Sequence, residues 1–392
     1  MKVLFVTSGW RTHFFLVAPL AWACRAAGHD VRVAGPPSGA GTVLEAGLPY
    51  VPVGPGIDFA EVRRRTVEDE RSGQDDGGAV LAEWQKSTFA PTADVVRLAT
   101  VWRPDVVVAD PMSVGGFVAA LRTGVPAVRH LFGVDILGSP GGERLWEILP
   151  GFAEHFAEFG VELCGDPAAL TLDPCPPSMQ RPPLPTRRQI RFVPYNGPGT
   201  VPAWLLDPPA RPRAVVTWGA SSVWAAGERT FLVPQVLEAL AAEGLDAVVT
   251  LGTGQDRFLP GGVPEGTRLL ENFPVHLLLA HTELLVHHGG SATILTGALH
   301  RVPQLCLPHL PEQVTDSEAY AATGAGRCLP AETATVDTLR AAVRALRTEH
   351  AVAAARLQAE MRAQTPLADV VRMLEALVVR NPAPTPAPTP TV

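Results

Sequence analysis

The sequence predicts an α/β protein with two doubly wound domains that face each other across a cleft. Three observations support this prediction. Short apolar runs alternate with helical segments in both halves, a proline-rich stretch separates the halves, and 392 residues are enough for two cores. In doubly wound sheets a ligand lies at the carboxyl ends of the strands. We therefore expect functional residues where strands end.

The first half opens with a βαβ unit. The apolar run 3–6 is typical of a buried strand, 13–27 is an amphipathic helix that ends at a glycine, and 31–34 is the next strand. The charged, glycine-bearing stretch 58–76 indicates a mobile loop. The remaining elements predicted here are strands at 48–53, 106–109 and 127–129 and helices at 81–102 and 115–122.

Proline separates the two halves. Its density over 166–212 favours extended segments over helices, and we place the linker at 205–212. The tail 381–392, rich in proline and threonine, cannot bury a core. The second half restarts with strands at 214–217, 247–251, 268–271, 284–286 and 304–307 and helices at 231–244, 292–300, 313–323 and, with breaks, 336–377.

Composition excludes several function classes. The net charge of -7 argues against a nucleic-acid-binding protein, and no apolar run is long enough to cross a membrane. The first residues enter a strand directly, without a signal-peptide pattern, so we expect a cytoplasmic protein. Five scattered cysteines without C-x-x-C spacing indicate free thiols and no zinc site.

The stretch from Leu285 to Gln313 carries the strongest functional signal. A strand ends at two histidines, a double glycine makes a tight turn, and a helix follows. The free N–H groups at such a helix start bind anions, most often phosphate. The alternative is an ordinary βα turn with packed histidines. The residues predicted to bind a diphosphate are His287, His288, Gly289, Gly290, Ser291, Ala292 and Thr293.

Two further polar groups in the second half follow strands. Ser221 lies in the loop after 214–217, where it could contact phosphate or simply cap a helix. Glu312 and Gln313 follow the strand at 304–307. Their carboxylate and amide are suited to sugar hydroxyls, and the alternative is a polar helix start.

The first half supplies the residues suited to acid–base chemistry. His13 follows the first strand, at the edge of the sheet where catalytic groups lie. Asp110 ends the strand 106–109 and could orient His13 as a dyad, or cap a turn before Pro111. Asp135 follows the strand at 127–129 and should face the same cleft.

These motifs together resemble those of inverting GT-B glycosyltransferases that act in bacterial natural-product biosynthesis, including that of polyketide antibiotics. The resemblance rests on V-L-F-V-T-S-G-W-R-T-H at 3–13, V-V-V-A-D-P at 106–111, H-L-F-G-V-D at 130–135, and V-H-H-G-G-S-A-T at 286–293 with P-E-Q at 311–313. It covers about residues 1–380. Where the family usually has a glycine, this chain has Ala292.

The resemblance implies a division of labour between the domains. Residues 1–207 would form a Rossmann-like acceptor domain, and 208–366 a Rossmann-like nucleotide-sugar domain. A C-terminal helix over 367–380 would pack back toward the first domain, ahead of a disordered tail over 381–392.

It also implies a role for each site residue. His13 matches the general base, Asp110 its partner, and Asp135 an acidic residue on the acceptor side that is implicated in C-glycosylating members. Glu312 and Gln313 match the pair that contacts the donor sugar. The segment Phe273, Pro274 and Val275 matches the one that packs on the nucleobase, and 287–293 matches the diphosphate loop.

The implied reaction transfers a deoxysugar from a TDP-sugar to an aromatic polyketide or similar aglycone, as an O- or C-glycoside. It needs no metal and no cofactor, and a homodimer is one expected assembly. The alternatives are a nucleotide-sugar 2-epimerase of the same fold and a non-catalytic glycosyltransferase partner. A nicotinamide oxidoreductase is disfavoured, because G-x-G-x-x-G does not follow the first strand.

Overall fold

The structure, a computed structural model, describes residues 1–56, 85–135, 151–180, 184–219, 223, 230–259 and 261–381. It contains two parallel β-sheets, each flanked by helices. The predicted loop at 58–76, Ser221 and nearly all of the predicted tail lie outside these residues. No helix in the described ranges is long and apolar enough to span a membrane.

The first sheet has seven parallel strands in the order β3-β2-β1-β4-β5-β6-β7. Its strands are β1 (Lys2–Val6), β2 (Asp30–Gly35), β3 (Tyr50–Pro52), β4 (Val106–Ala109), β5 (Ala127–His130), β6 (Leu170–Asp173) and β7 (Arg187–Gln189). Its helices are α1 (Arg11–Ala26), α2 (Ala40–Glu45), α3 (Thr92–Trp102), α4 (Val114–Thr123) and α5 (Phe152–Glu158).

The second sheet has six parallel strands in the order β10-β9-β8-β11-β12-β13. Its strands are β8 (Arg213–Thr217), β9 (Asp246–Leu251), β10 (Thr267–Glu271), β11 (Leu284–His287), β12 (Gln304–Cys306) and β13 (Gly326–Cys328). The helices from here to the C-terminus are α6 (Val233–Ala242), α7 (Ser291–Leu299), α8 (Pro311–Ala322), α9 (Val336–Glu349), α10 (Ala351–Ala363) and α11 (Leu367–Arg380).

The predicted fold class is confirmed. Parallel strands covered by helices on both faces are apolar along their whole length, and all four residues of β4 are buried. Strand order reverses between β1 and β4 and again between β8 and β11. These are the switch points at which doubly wound sheets bind ligands. The sequence prediction missed β13, and for the helical stretch 336–377 it expected breaks without placing the one between α9 and α10.

The chain crosses between the domains at two adjacent places. The first crossing lies between β7 and β8, and the second between α10 and α11. Ile190 and Thr365 form a parallel bridge, and the N–H of Arg191 donates to the carbonyl of Thr365 at 2.8 Å. The amide of Gln364 also donates to the carbonyl of Cys175 at 3.0 Å. The two crossings are therefore joined by hydrogen bonds.

Helix α11 belongs to the core of the first domain. It packs against α1, and its side chains Val370, Val371, Leu374 and Leu377 are buried in the same cluster as Phe14. Apolar residues at this three- and four-residue spacing form one face of a helix. The last helix therefore packs on the first domain, although it follows the second domain in the chain.

We expect Leu374→Ala to destabilise the protein by about 2–5 kcal/mol, because the fully buried side chain leaves a cavity between α11 and α1. Urea unfolding followed by circular dichroism measures this change. Val379→Ala on the same helix is the control, since Val379 is 79% exposed. Equal effects of the two substitutions would contradict the packing described for α11.

Candidate active site

His13 lies in the first turn of α1, directly beyond the carboxyl end of β1. Its Nδ1 is 3.3 Å from the hydroxyl oxygen of Ser8, and that hydroxyl donates to Oδ2 of Asp110 at 3.1 Å. The sequence predicted a direct pair between His13 and Asp110. The structure instead places Ser8 between them, a residue that the sequence analysis did not select although it follows β1.

Asp110 is buried and fully engaged at the end of β4. Besides the Ser8 hydroxyl, its carboxylate accepts hydrogen bonds from the N–H groups of Ser8 at 2.9 Å and of Met112 at 2.8 Å. Three donors thus fix the position of one carboxylate. Asp110 therefore caps the turn after β4, which is one of its two sequence interpretations, and it reaches His13 only through the Ser8 hydroxyl.

The imidazole of His13 is covered by an aromatic ring. Phe132, which follows β5, stacks on it with the ring centroids 3.7 Å apart and the planes 11° from parallel. Burial lowers the pKa of His13 below its ordinary value, and the negative charge of Asp110 opposes this shift. His13 is therefore neutral at neutral pH, the form in which an imidazole accepts a proton.

His287, at the end of β11, is fully buried with both ring nitrogens hydrogen-bonded. Nδ1 accepts from the N–H of Gly289 at 3.0 Å, so Nε2 carries the proton and donates to Oε1 of Gln304 at 2.9 Å. Burial lowers its pKa to about 4. The sequence predicted that His287 contacts diphosphate; in this geometry it instead holds the glycine turn in place.

His288 differs from His287 in the hydrogen bonding of its ring nitrogens. Burial lowers its pKa to about 3, and its ring is hydrogen-bonded to the backbone of Thr217. Its Nδ1 has no hydrogen-bond partner within the described residues. A Cβ on Gly219 would lie 2.6 Å from this ring, and one on Gly290 would lie 2.8 Å from it. Two glycines therefore make the space that the ring occupies.

The double glycine leads into α7 without a side-chain cap. Gly289 has φ +91°, a conformation that favours glycine, and a Cβ there would collide with the Ser317 hydroxyl. Gly290 is the N-cap and supplies no side-chain acceptor for the first N–H groups of α7. The N-terminus of this nine-residue helix is thus the predicted anion site.

The next residues have different surroundings. Ser291 donates its hydroxyl to Asp316, and Thr293 is partly exposed in the first turn of α7. The methyl group of Ala292 is buried in an apolar cluster that also contains Leu16 of α1. Alanine at this position therefore contributes to packing between the domains.

Glu312 and Gln313 occupy the first turn of α8. Glu312 is exposed, whereas Gln313 is buried and its Oε1 accepts from the N–H of His309 at 3.4 Å and of Leu310 at 3.3 Å. The carbonyl oxygen of Gln313 thus contacts the loop before α8. Contact of this pair with a donor sugar stays a prediction.

The segment predicted to pack on a nucleobase follows β10. Phe273 is partly exposed, and its backbone is held by the Thr250 hydroxyl, which accepts from its N–H at 3.0 Å. Pro274 lies against Gly199 near the interdomain crossing, and Val275 is buried in the core. Of the three side chains, Phe273 is the one with an exposed surface for a base.

Asp135 lies in a buried charge cluster. Arg187 contacts its carboxylate at 2.8 Å and that of Asp173 at 3.5 Å. The two carboxyls therefore share one guanidinium. Burial raises the pKa of Asp173 to about 7. These surroundings favour a structural role for Asp135, and the predicted catalytic role on the acceptor side stays a prediction.

The two halves of the site meet at Gly133. A Cβ on Gly133 would lie 2.5 Å from the hydroxyl oxygen of Ser291 and 3.0 Å from Oδ2 of Asp316. Phe132, whose ring covers His13, directly precedes Gly133 in the chain, and Gly133 contacts the start of α7. The base candidate and the anion site therefore face each other across the cleft.

A cavity opens beside the His13 side of the cleft. Apolar side chains and hydroxyl groups alternate in its lining, which includes Trp10, Val53, Met112, Ser8, Thr88 and Ser113. None of the described lining residues is charged. This lining adds apolar and hydroxyl groups, but no charge, to the surroundings of Ser8.

Comparison with known proteins agrees with this geometry. The N-terminal domain model of the erythromycin biosynthesis protein CIII-like family matches residues 22–219, and its C-terminal domain model matches residues 234–377. The chain belongs to this family. It is a glycosyltransferase with the GT-B fold.

Several named glycosyltransferases of Streptomyces align over nearly the whole chain. The 10-deoxymethynolide desosaminyltransferase of Streptomyces venezuelae is 33% identical, with 98% of this chain and 99% of that protein aligned. The TDP-daunosamine transferase DnrS of Streptomyces peucetius is 33% identical, with 98% of each aligned.

Solved structures give the same picture. The spinosyn forosaminyltransferase SpnP has a TM-score of 0.81 at 30% identity, over 97% of this chain and 99% of that one. The spinosyn rhamnosyltransferase SpnG, complexed with thymidine diphosphate, has a TM-score of 0.80 at 30% identity, over 96% of this chain and 100% of that one.

We expect Gly289→Ala to weaken thymidine diphosphate binding by about tenfold or more, because a side chain at φ +91° is strained and would displace Ser317 beside the start of α7. Isothermal titration calorimetry measures the change. Gly261→Ala is the control, since a Cβ there meets no atom within 4 Å. Unchanged affinity in Gly289→Ala would contradict the site at α7.

Proposed function

We propose that this chain transfers a deoxysugar from a thymidine diphosphate donor to a polyketide aglycone, with inversion and without a metal. Relatives named for deoxysugar transfer to macrolide and anthracycline aglycones support the substrate classes. Thymidine diphosphate in the SpnG structure supports the donor class. The observation that carries the proposal is the His13–Ser8–Asp110 chain facing the uncapped start of α7.

The hydrogen-bond chain assigns the proton positions at His13. The Asp110 carboxylate only accepts, so the Ser8 hydroxyl donates to it, and the remaining lone pair of Ser8 accepts from Nδ1–H of His13. This leaves the lone pair of Nε2 as the base. Asp110 and Ser8 thus fix the tautomer and stabilise the imidazolium once it forms.

The reaction follows from these positions. Nε2 of His13 takes the proton of an acceptor hydroxyl while the acceptor oxygen attacks the anomeric carbon from the face opposite the leaving group. The bond from that carbon to the phosphate oxygen breaks, its electron pair leaves with the diphosphate, and the anomeric centre inverts. The N–H groups and positive end of α7 stabilise the departing charge.

The same base serves two linkages. When the acceptor is a phenol, removal of its proton enriches the ortho and para ring carbons with electron density. Either the oxygen attacks the sugar, or one of these carbons does, and the ring proton of that carbon then moves to the oxygen and restores the phenol. The choice between O- and C-glycosylation depends on which of these atoms the bound aglycone presents to the anomeric carbon.

The alternative reactions make different demands on the cleft. A nucleotide-sugar 2-epimerase needs acid–base groups at the sugar ring, whereas Asp135 and Asp173 are engaged with Arg187. A non-catalytic partner has no need of the diphosphate loop, which this chain keeps at 287–293. Incubation with the TDP-sugar alone, followed by mass and NMR analysis, would reveal epimerisation without an acceptor.

We expect His13→Ala to lower kcat by about 10²–10⁴-fold, because the acceptor proton then has no base, while the Kd for thymidine diphosphate changes little. Product formation is measured by liquid chromatography with a TDP-deoxysugar and a panel of polyketide aglycones. His29→Ala is the control, since His29 lies beyond the C-terminal end of α1, where it contacts Glu375. Full activity in His13→Ala would exclude it as the base.

The pH dependence of kcat/KM should report the His13 environment. As pH falls through the pKa of His13, Nε2 becomes protonated and the base is lost, so the acid limb should lie below pH 6.5. Asp110→Asn removes the charge that raises this pKa, and its acid limb should move lower still. An acid limb that moves up in Asp110→Asn would contradict the coupling through Ser8.

A further inference from the structure

Asp316 on α8 joins the two domains through its carboxylate. The side chain is buried, and Oδ1 accepts from the N–H of Val134 in the first domain at 2.9 Å. Oδ2 accepts from the hydroxyl of Ser291, the first residue of α7. One carboxylate thus holds a loop of the acceptor domain and the start of the donor helix together.

Both ends of this bridge lead directly to the site. Val134 is two residues after Phe132, whose ring stacks on His13 at 3.7 Å. Ser291 begins the helix whose N-terminus is the anion site. One side chain and three loop residues therefore connect the start of the donor helix to the ring that covers the base.

The bridge leaves no free space at the domain contact. A Cβ on Gly133 would lie 2.5 Å from the hydroxyl oxygen of Ser291, so only a glycine lets the loop approach this closely. Close packing of this kind transmits displacement because it cannot be compressed. The loop over 132–134 and the start of α7 are therefore packed together without a gap.

We propose that Asp316 is a positioning residue that couples the seating of the donor helix to the placement of Phe132 over His13. This inference rests on the proposed function, because it takes His13 as the base. Asp316 contacts neither reacting group itself. It acts through Val134 and Ser291.

The bridge requires a side chain that forms two hydrogen bonds, and it does not require a negative charge. Both hydrogen bonds come from neutral groups, the backbone N–H of Val134 and the hydroxyl of Ser291. Burial raises the pKa of Asp316 to about 7, and these two hydrogen bonds oppose that rise. An asparagine has the same shape, can accept from Val134 and can donate to Ser291.

The test compares Asp316→Ala with Asp316→Asn. We expect Asp316→Ala to lower kcat by about 10–100-fold, since small misplacement of a catalytic group has effects of this size. The Kd for thymidine diphosphate should stay within about threefold, and Asp316→Asn should keep kcat within about threefold of the parent by preserving both hydrogen bonds. Glu318→Gln, an exposed site on the same helix, is the control.

A pH profile separates positioning from simple loss of structure. In Asp316→Ala the Phe132 ring should no longer exclude water from His13, so the acid limb of kcat/KM should move up toward pH 6.5. Asp110 is the charged group that faces His13, and it is unchanged in this variant. Phe132→Ala should move the limb in the same direction, and the combined variant should show less than the sum of the two effects.

The outcomes distinguish this inference from the proposed function. Full activity in His13→Ala would show that His13 is not the base, and the role proposed for Asp316 would then fail as well. If His13→Ala loses activity but Asp316→Ala keeps the rate and acid limb of the parent, only the coupling through Asp316 is overturned. Equal loss of activity in Asp316→Ala and Asp316→Asn would overturn it too. If Asp316→Ala does not fold, Asp316→Leu keeps the volume without hydrogen bonds and gives the same comparison.

Discussion

Contact between Gly133 and the start of α7 sets the geometry on which the rest of the site depends. Each sheet presents its carboxyl edge to the other, and this is where the two edges touch. A larger residue would separate the domains and move the base away from the anion site. Backbone packing therefore sets the distance across the cleft between the base candidate His13 and the anion site at α7.

Buried polar groups serve this geometry on both sides. His287 uses both ring nitrogens to hold the glycine turn, and Asp110 uses three donors to hold Ser8 and the turn after β4. Buried polar groups whose hydrogen bonds are satisfied make an arrangement rigid. Both residues hold a backbone turn at the end of a strand, so a histidine of a binding motif can have a structural role.

The fold could be predicted from the sequence because its signals are local. Strands buried on both faces are unbroken apolar runs, as in 106–109, and the double glycine at 289–290 marks the turn between a strand and a helix. The site could be predicted only in part. The positions of His13 and Asp110 follow from strand ends, but Ser8 between them, Phe132 over the imidazole and Asp316 across the cleft depend on contacts between distant segments that no pattern records.

The placement of α11 has a consequence for exchanging halves between family members. This helix is encoded after the donor domain yet packs on the apolar face of α1, and the two interdomain crossings are hydrogen-bonded to each other between Arg191 and Thr365. A hybrid enzyme joined only at the linker would pair α1 of one parent with α11 of another. Hybrids that change acceptor choice should therefore take residues 367–380 from the parent that supplies the N-terminal half.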